Sequence, residues 1–132
     1  MIYLLDVNAL VALGFLQHEF HGRVATWVAR AREPISLATC SITELGFVRV
    51  LAQAAAYGFT VPQARTLLRR LKEARTPQFV FISDGHDVTH LPAWVKTSKQ
   101  ITDGHLAQLA GANGAVLATL DRRIPGSFLV PS

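Results

Sequence analysis

Ile2-Tyr3-Leu4-Leu5-Asp6-Val7-Asn8 is the stretch whose reading decides the fold. Four apolar residues run without alternation and then meet a carboxylate. A short run that is apolar on both faces reads as a strand covered on both sides. Aspartate rarely enters such a place unless it is paired or coordinates a metal. Asp6 is therefore expected at the carboxyl end of a central parallel strand, the edge where open α/β sheets hold their ligands. Asn8 reads as the cap of a helix running from Ala9 to Leu16.

Moving outward, strand-like and helix-like segments alternate. After a break at Gln17 to Gly22, residues Val24, Trp27, Val28 and Ala31 lie at i, i+3, i+4, i+7, one apolar helical face that Pro34 ends. Ile35 to Thr39 reads as a second strand. Ser41-Ile42-Thr43-Glu44 has the form of a capping box, opening a helix to about Ala55. Pro62 suits the first turn of the next helix, whose inner stripe is Ala64, Leu67, Leu68, Leu71 and Arg75. Its other side carries Arg65, Arg69 and Lys72. Phe79 to Ile82 reads as a third strand, and residues 83 to 100 as irregular. Thr102 reads as the cap of a helix carrying Leu106, Leu109 and Ala110, closed by Asn113-Gly114. Ala115 to Ala118 and Phe128 to Val130 are the last two strands. The alternation predicts an α/β sandwich with a central, mostly parallel sheet of four to five strands.

The chain has 132 residues, enough for a single domain, 1–132, and half of them are hydrophobic. A lone cysteine, Cys40, precludes an internal disulfide and suits a reducing cytoplasm. No apolar stretch approaches the roughly 20 residues of a membrane span, and Asp6 interrupts the only N-terminal candidate for a signal segment. Thirteen Lys and Arg against nine Asp and Glu give a net charge of +4, a modest bias toward polyanionic partners.

With nine acids in all, their placement can be weighed singly. Asp6 follows the first strand and Asp121 the fourth. Glu44 and Asp103 each open a helix. Strand ends and the starts of the following helices share one edge of a parallel sheet, so all four are expected in one crevice. Unneutralised, they would raise one another's pKa and oppose folding. A hard divalent cation removes that conflict, and Mg²⁺, with Mn²⁺ compatible, suits loosely arranged carboxylates and retained waters. Such an ion makes a nucleophile of bound water and offsets charge on a phosphoryl oxygen. An acidic metal site within a basic chain suits nucleic-acid cleavage. Each acid has a plainer reading too: Asp6 as a helix cap, Glu44 as half a capping box, Asp103 as a helix-dipole partner, Asp121 as a turn residue.

Asn8 and Thr119 stand beside the expected crevice, to orient a water or an acid, or to satisfy backbone groups. Arg49 suits a phosphate or an acid partner, and Arg122 and Arg123 adjoin Asp121. The basic stripe of Arg65, Arg69, Arg70, Lys72 and Arg75 reads as a solvated helix face. Asp84-Gly85-His86-Asp87 reads as a turn. No Gly-x-Ser-x-Gly elbow or Gly-rich phosphate loop is present. A metal-dependent phosphatase lacks its Asp-x-Asp pair, because residue 8 is Asn.

Four segments together carry a resemblance: Leu5-Asp6-Val7-Asn8-Ala9-Leu10, Thr43-Glu44-Leu45-Gly46-Phe47-Val48-Arg49, Thr102-Asp103-Gly104-His105-Leu106-Ala107 and Leu117-Ala118-Thr119-Leu120-Asp121-Arg122. In this order and in a chain this size, they resemble the PIN-domain ribonucleases, most closely the VapC toxins of bacterial toxin–antitoxin pairs. The resemblance implies a PIN-like three-layer α/β/α sandwich and RNA cleavage dependent on Mg²⁺ or Mn²⁺. Asp6, Glu44, Asp103 and Asp121 match the family's acidic site, with Asn8 and Thr119 at its neighbouring polar positions. It further implies a homodimer and a cognate VapB-type antitoxin. The alternative is a non-catalytic PIN module that binds RNA or antitoxin and keeps the acids for structure.

Overall fold

The structure is a computed structural model that describes residues 1–132. Ten elements of regular structure follow in the order β1 (Ile2–Leu5), α1 (Val7–Gly14), α2 (His21–Arg30), β2 (Ser36–Thr39), α3 (Ser41–Gln53), α4 (Val61–Glu73), β3 (Gln78–Phe81), α5 (Ile101–Ala112), β4 (Ala115–Thr119) and β5 (Phe128–Leu129). The five strands form one sheet in the order β3-β2-β1-β4-β5, and every pairing is parallel. β1 is its middle strand, as the unbroken apolar run requires: Leu4 and Leu5 point to opposite faces and are both fully buried.

Those two faces have different covers. Leu5, Leu37 and Ala118 pack with α1, α3 and α4 around Leu10, Phe47, Leu51 and Leu68. Leu4, Ala38 and Leu117 pack under α5 with Leu106, Leu109 and Ala110. Three layers result, with α5 the one helix on its side. The switch of face follows from topology: β1 to β2 and β2 to β3 step one way along the sheet, and β3 to β4 steps back across it. A right-handed crossover then places α5 opposite the other helices.

Helix starts differ from expectation in three places, each for a local reason. Asp6 caps α1 in place of Asn8, accepting the Ala9 N–H at 2.8 Å, so the helix begins at Val7. The box at α3 is built by Cys40 and Thr43, the Thr43 hydroxyl accepting the Cys40 N–H at 2.9 Å. Ser41 is already helical there, and Glu44 is released from any capping role. Before α5, Thr97 and Gln100 close a 3₁₀ turn over Ser98–Gln100 that runs directly into the helix, so Thr102 lies inside it. α2 ends at Arg30, ahead of Pro34, and Arg75 falls beyond the end of α4. Thr60 and Gln63 cap α4 as a true box, with Pro62 in the first turn.

Close approach of two helices fixes where Glu44 lies. A Cβ on Gly46 would meet the Val7 side chain at 2.5 Å, so glycine lets α3 lie directly against the start of α1. On the far face a Cβ on Gly104 would overlap Val95, which holds the 92–95 segment against α5. Trp94 packs there, half-buried against the α5-side core.

Candidate active site

Asp6 leaves β1 at the carboxyl edge of the sheet and is 7% exposed. Both of its oxygens are engaged. Oδ1 accepts the Ala9 N–H, and Oδ2 accepts the Thr119 hydroxyl at 2.5 Å. Thr119 is itself fully buried at the end of β4 and accepts the Asp121 N–H at 3.0 Å. One hydroxyl therefore links the Asp6 carboxylate to the Asp121 backbone across the ends of β1 and β4. Satisfying backbone is only half of its role.

Burial pushes the Asp6 carboxyl above its ordinary range, against the pull of its hydrogen bonds from Thr119 and Ala9; the charges of Asp103 and Asp121 add to the rise. Asp103, in the first turn of α5, is raised by burial and then by Asp121. Asp121 is held low by Arg123, whose guanidinium binds both of its oxygens at 3.0 Å. That pair is open to solvent, the Arg123 side chain being 88% exposed, so it fixes Asp121 only weakly. The charges of Asp103 and Asp121 thus reach Asp6, and that of Asp121 reaches Asp103, but the crevice itself is lined by Asp6 and Asp121 and not by Asp103.

Glu44 is placed differently. It stands at the same edge, at the start of α3, but its Oε2 accepts the Thr39 hydroxyl at 2.6 Å and the Lys72 ammonium at 2.5 Å. Oε1 has no partner. No three His, Cys, Asp or Glu side chains converge into a set that would hold an ion unaided. The acid row is open, and Glu44 faces a neighbouring groove rather than the crevice of Asp6 and Asp121.

That crevice, about 640 Å³, is lined by Asp6, Asn8 and Asp121 together with Gln17, His18, Glu19, Phe20 and Tyr57. Asn8, freed from capping, is exposed and presents its amide to the crevice without a hydrogen bond in the protein.

A PIN domain family profile matches residues 3–126. The chain belongs to the PIN-domain family. It is 36% identical over 120 residues to Ribonuclease VapC38 of Mycobacterium tuberculosis, an alignment covering 89% of this chain and 84% of that one. Ribonuclease VapC44 of the same species is 35% identical over 126 residues, covering 92% and 87%. Among solved structures, VapBC2 from Rickettsia felis bound to a DNA fragment from their promoter has the same fold, with a TM-score of 0.59, 17% identity and coverage of 98% and 97%.

In this PIN domain several lining residues escape the sequence. His18 and Phe20 sit in a segment that reads only as a break; an aromatic side chain, 40% exposed, inside a polar interruption is the signal that would have marked it. Lys72 reads as part of a solvated stripe and instead neutralises Glu44, 28 residues away. Asp84 is more than a turn residue. Burial pushes its carboxyl up, and hydrogen bonds from His105 and the His86 N–H hold it below its ordinary range. The pairing, with His105 Nε2 2.5 Å from Asp84 Oδ2, ties the loop after β3 to α5. His86 and His90 stand at His-x-x-x-His spacing, and their rings stack at 4.3 Å. Arg122 has no ion pair, and Arg49 has none either, so the acid partner entertained for Arg49 is not there. No helix is long and apolar enough to cross a membrane.

Proposed function

We propose that this chain is the toxin half of a VapBC-type toxin–antitoxin pair, an endoribonuclease that hydrolyses RNA phosphodiester bonds with a divalent metal and so arrests translation or growth. One observation carries the reading: at the strand edge of a PIN fold Asp6 lacks a cationic partner and is pushed up chiefly by its burial, with Asp103 and Asp121 adding to the rise. The similarity to proteins named Ribonuclease VapC supports the same reading.

The donors fit Mg²⁺ or Mn²⁺. They are hard oxygens; Asp6 and Asp103 have no ion pair and Asp121 only the solvent-exposed Arg123, a donor set whose chemistry suits a small ion that keeps several waters. Asp6, Asp103 and Asp121 would hold it, with Glu44 at the margin. When bound, the ion supplies a water of lowered pKa and charge to offset that on the phosphoryl oxygen. Thr119 holds Asp6 and Asp121 in register. Glu44 stands at the margin of this set with Oε1 unbonded, while Lys72 and Thr39 hold its other oxygen. The partners of this reading are an RNA substrate, a cognate VapB-type antitoxin and a second copy of the chain in a homodimer, in the cytoplasm.

The test is cleavage of RNA by the purified chain with Mg²⁺ or Mn²⁺, with EDTA, and with Asp6→Asn. Products that need metal and disappear with Asp6→Asn support the reading. One observation favours a non-catalytic PIN module: Glu44 is already neutralised by Lys72. EDTA-insensitive retention of RNA without products would select that module.

A further inference from the structure

A groove of about 800 Å³ runs between α3 and α4 and opens at Glu44. Leu45 and Val48 from α3, and Val61 and Leu68 from α4, form an apolar floor. Leu45 is 63% exposed and Val61 50% exposed. Along α4, Arg65, Arg69 and Lys72 stand at i, i+4, i+7, which places them on one face. Arg49 joins them from α3. Lys72 is spent on Glu44. Arg49, Arg65 and Arg69 have no ion pair at all. Glu73 also lines the trough, so four cations stand against two carboxylates, a net positive charge that favours an anionic occupant. Arg70 is different: it belongs to a separate hollow with Phe59, Pro62 and Thr66 on the other side of α4.

We propose that this groove is the channel for the substrate strand, with single-stranded RNA as its occupant. Backbone phosphates lie against Arg49, Arg65 and Arg69, and sugar and base faces lie on Leu45 and Val61. A positively charged groove of this kind tracks the backbone of a single strand. The channel ends at Lys72 and Glu44, where the strand passes from basic groove to acid row. The groove offers a polyanion positive charge beside a site made mostly of carboxylates. This inference rests on the reading of the chain as an RNA-cutting enzyme.

The test measures fluorescence anisotropy of a labelled short single-stranded RNA on the full chain carrying Asp6→Asn, so that the probe survives. Arg65→Glu with Arg69→Glu is expected to weaken binding about tenfold or more. It is also expected to flatten the slope of log K against log salt by about 1.4, for two lost phosphate contacts. Arg65→Gln with Arg69→Gln, a milder change on an exposed helix face, is expected to flatten the slope by the same amount. Arg70→Glu is expected to change neither quantity. Unchanged affinity and slope in both double variants would overturn the channel. So would a groove that binds a labelled poly-glutamate peptide and not the RNA, which would assign it to an acidic protein segment. If the double variants lose RNA while the parent chain never cleaves it, the channel stands and the ribonuclease reading falls.

Discussion

The Asp6 carboxylate holds two hydrogen bonds, is almost out of water and faces two further acids. Folding therefore favours its protonated form. Its folded pKa lies above the ordinary 3.8, so the folded chain holds the proton more firmly than the unfolded chain between those two values. Stability falls as pH rises through that window and stays reduced above it. Asp6→Asn removes the loss. In EDTA its Tm is expected to exceed the parent's at neutral pH, and the gain should shrink to nothing as pH drops to 3.8; a flat difference in Tm across pH would contradict this. Asp84 has the opposite sign: its folded pKa is depressed, so its contribution is present above 3.8 and lost as pH falls through the folded value. Thr119→Val removes the hydroxyl shared by Asp6 and Asp121. Cleavage by this variant is expected to drop about 10–100-fold, as for outer partners of metal ligands. Steady-state kinetics at several Mg²⁺ concentrations measure that loss.

At the scale of elements, Gly46 is where helix packing governs the site. Gly46→Ala drives a methyl into Val7, and overpacking of this kind costs about 1–3 kcal/mol. Val7→Ala in the same chain is expected to recover most of that, and urea unfolding of the two single variants and the double variant measures the coupling. The strands and most helices are legible in the sequence because their cause is local: apolar runs bounded by Gly and Pro, and stripes at helical spacing. Caps are less so. Asp6 and Asn8, or Ser41 and Thr43, are adjacent short polar side chains, and only the path of the incoming strand decides which one reaches a free N–H. The same division runs through the site. Asp6, Asp103 and Asp121 are legible because each is tied to a strand end or to the first turn of a helix. The Lys72–Glu44 pair and the arginine groove are not, since they exist only once α3 and α4 pack side by side. Phe47, fully buried between these helices and α1, is a core position whose change to Ala is expected to cost about 3–5 kcal/mol.

Over the whole molecule, the sheet gathers acids from both ends of the chain into one edge, and the metal of the proposed function would relieve their repulsion. Mg²⁺ is expected to raise the Tm of the parent and to leave that of Asp6→Asn nearly unchanged. An ion at about a hundred times its Kd adds about 2.7 kcal/mol, and differential scanning calorimetry reads the shift directly. The order β3-β2-β1-β4-β5 has one more consequence. The first strand made occupies the centre of the sheet, and the hydroxyl that holds its aspartate arrives 113 residues later. Until β4 pairs with β1, Asp6 has no hydroxyl to hold it, so the site is complete only once strands distant in sequence have joined the sheet.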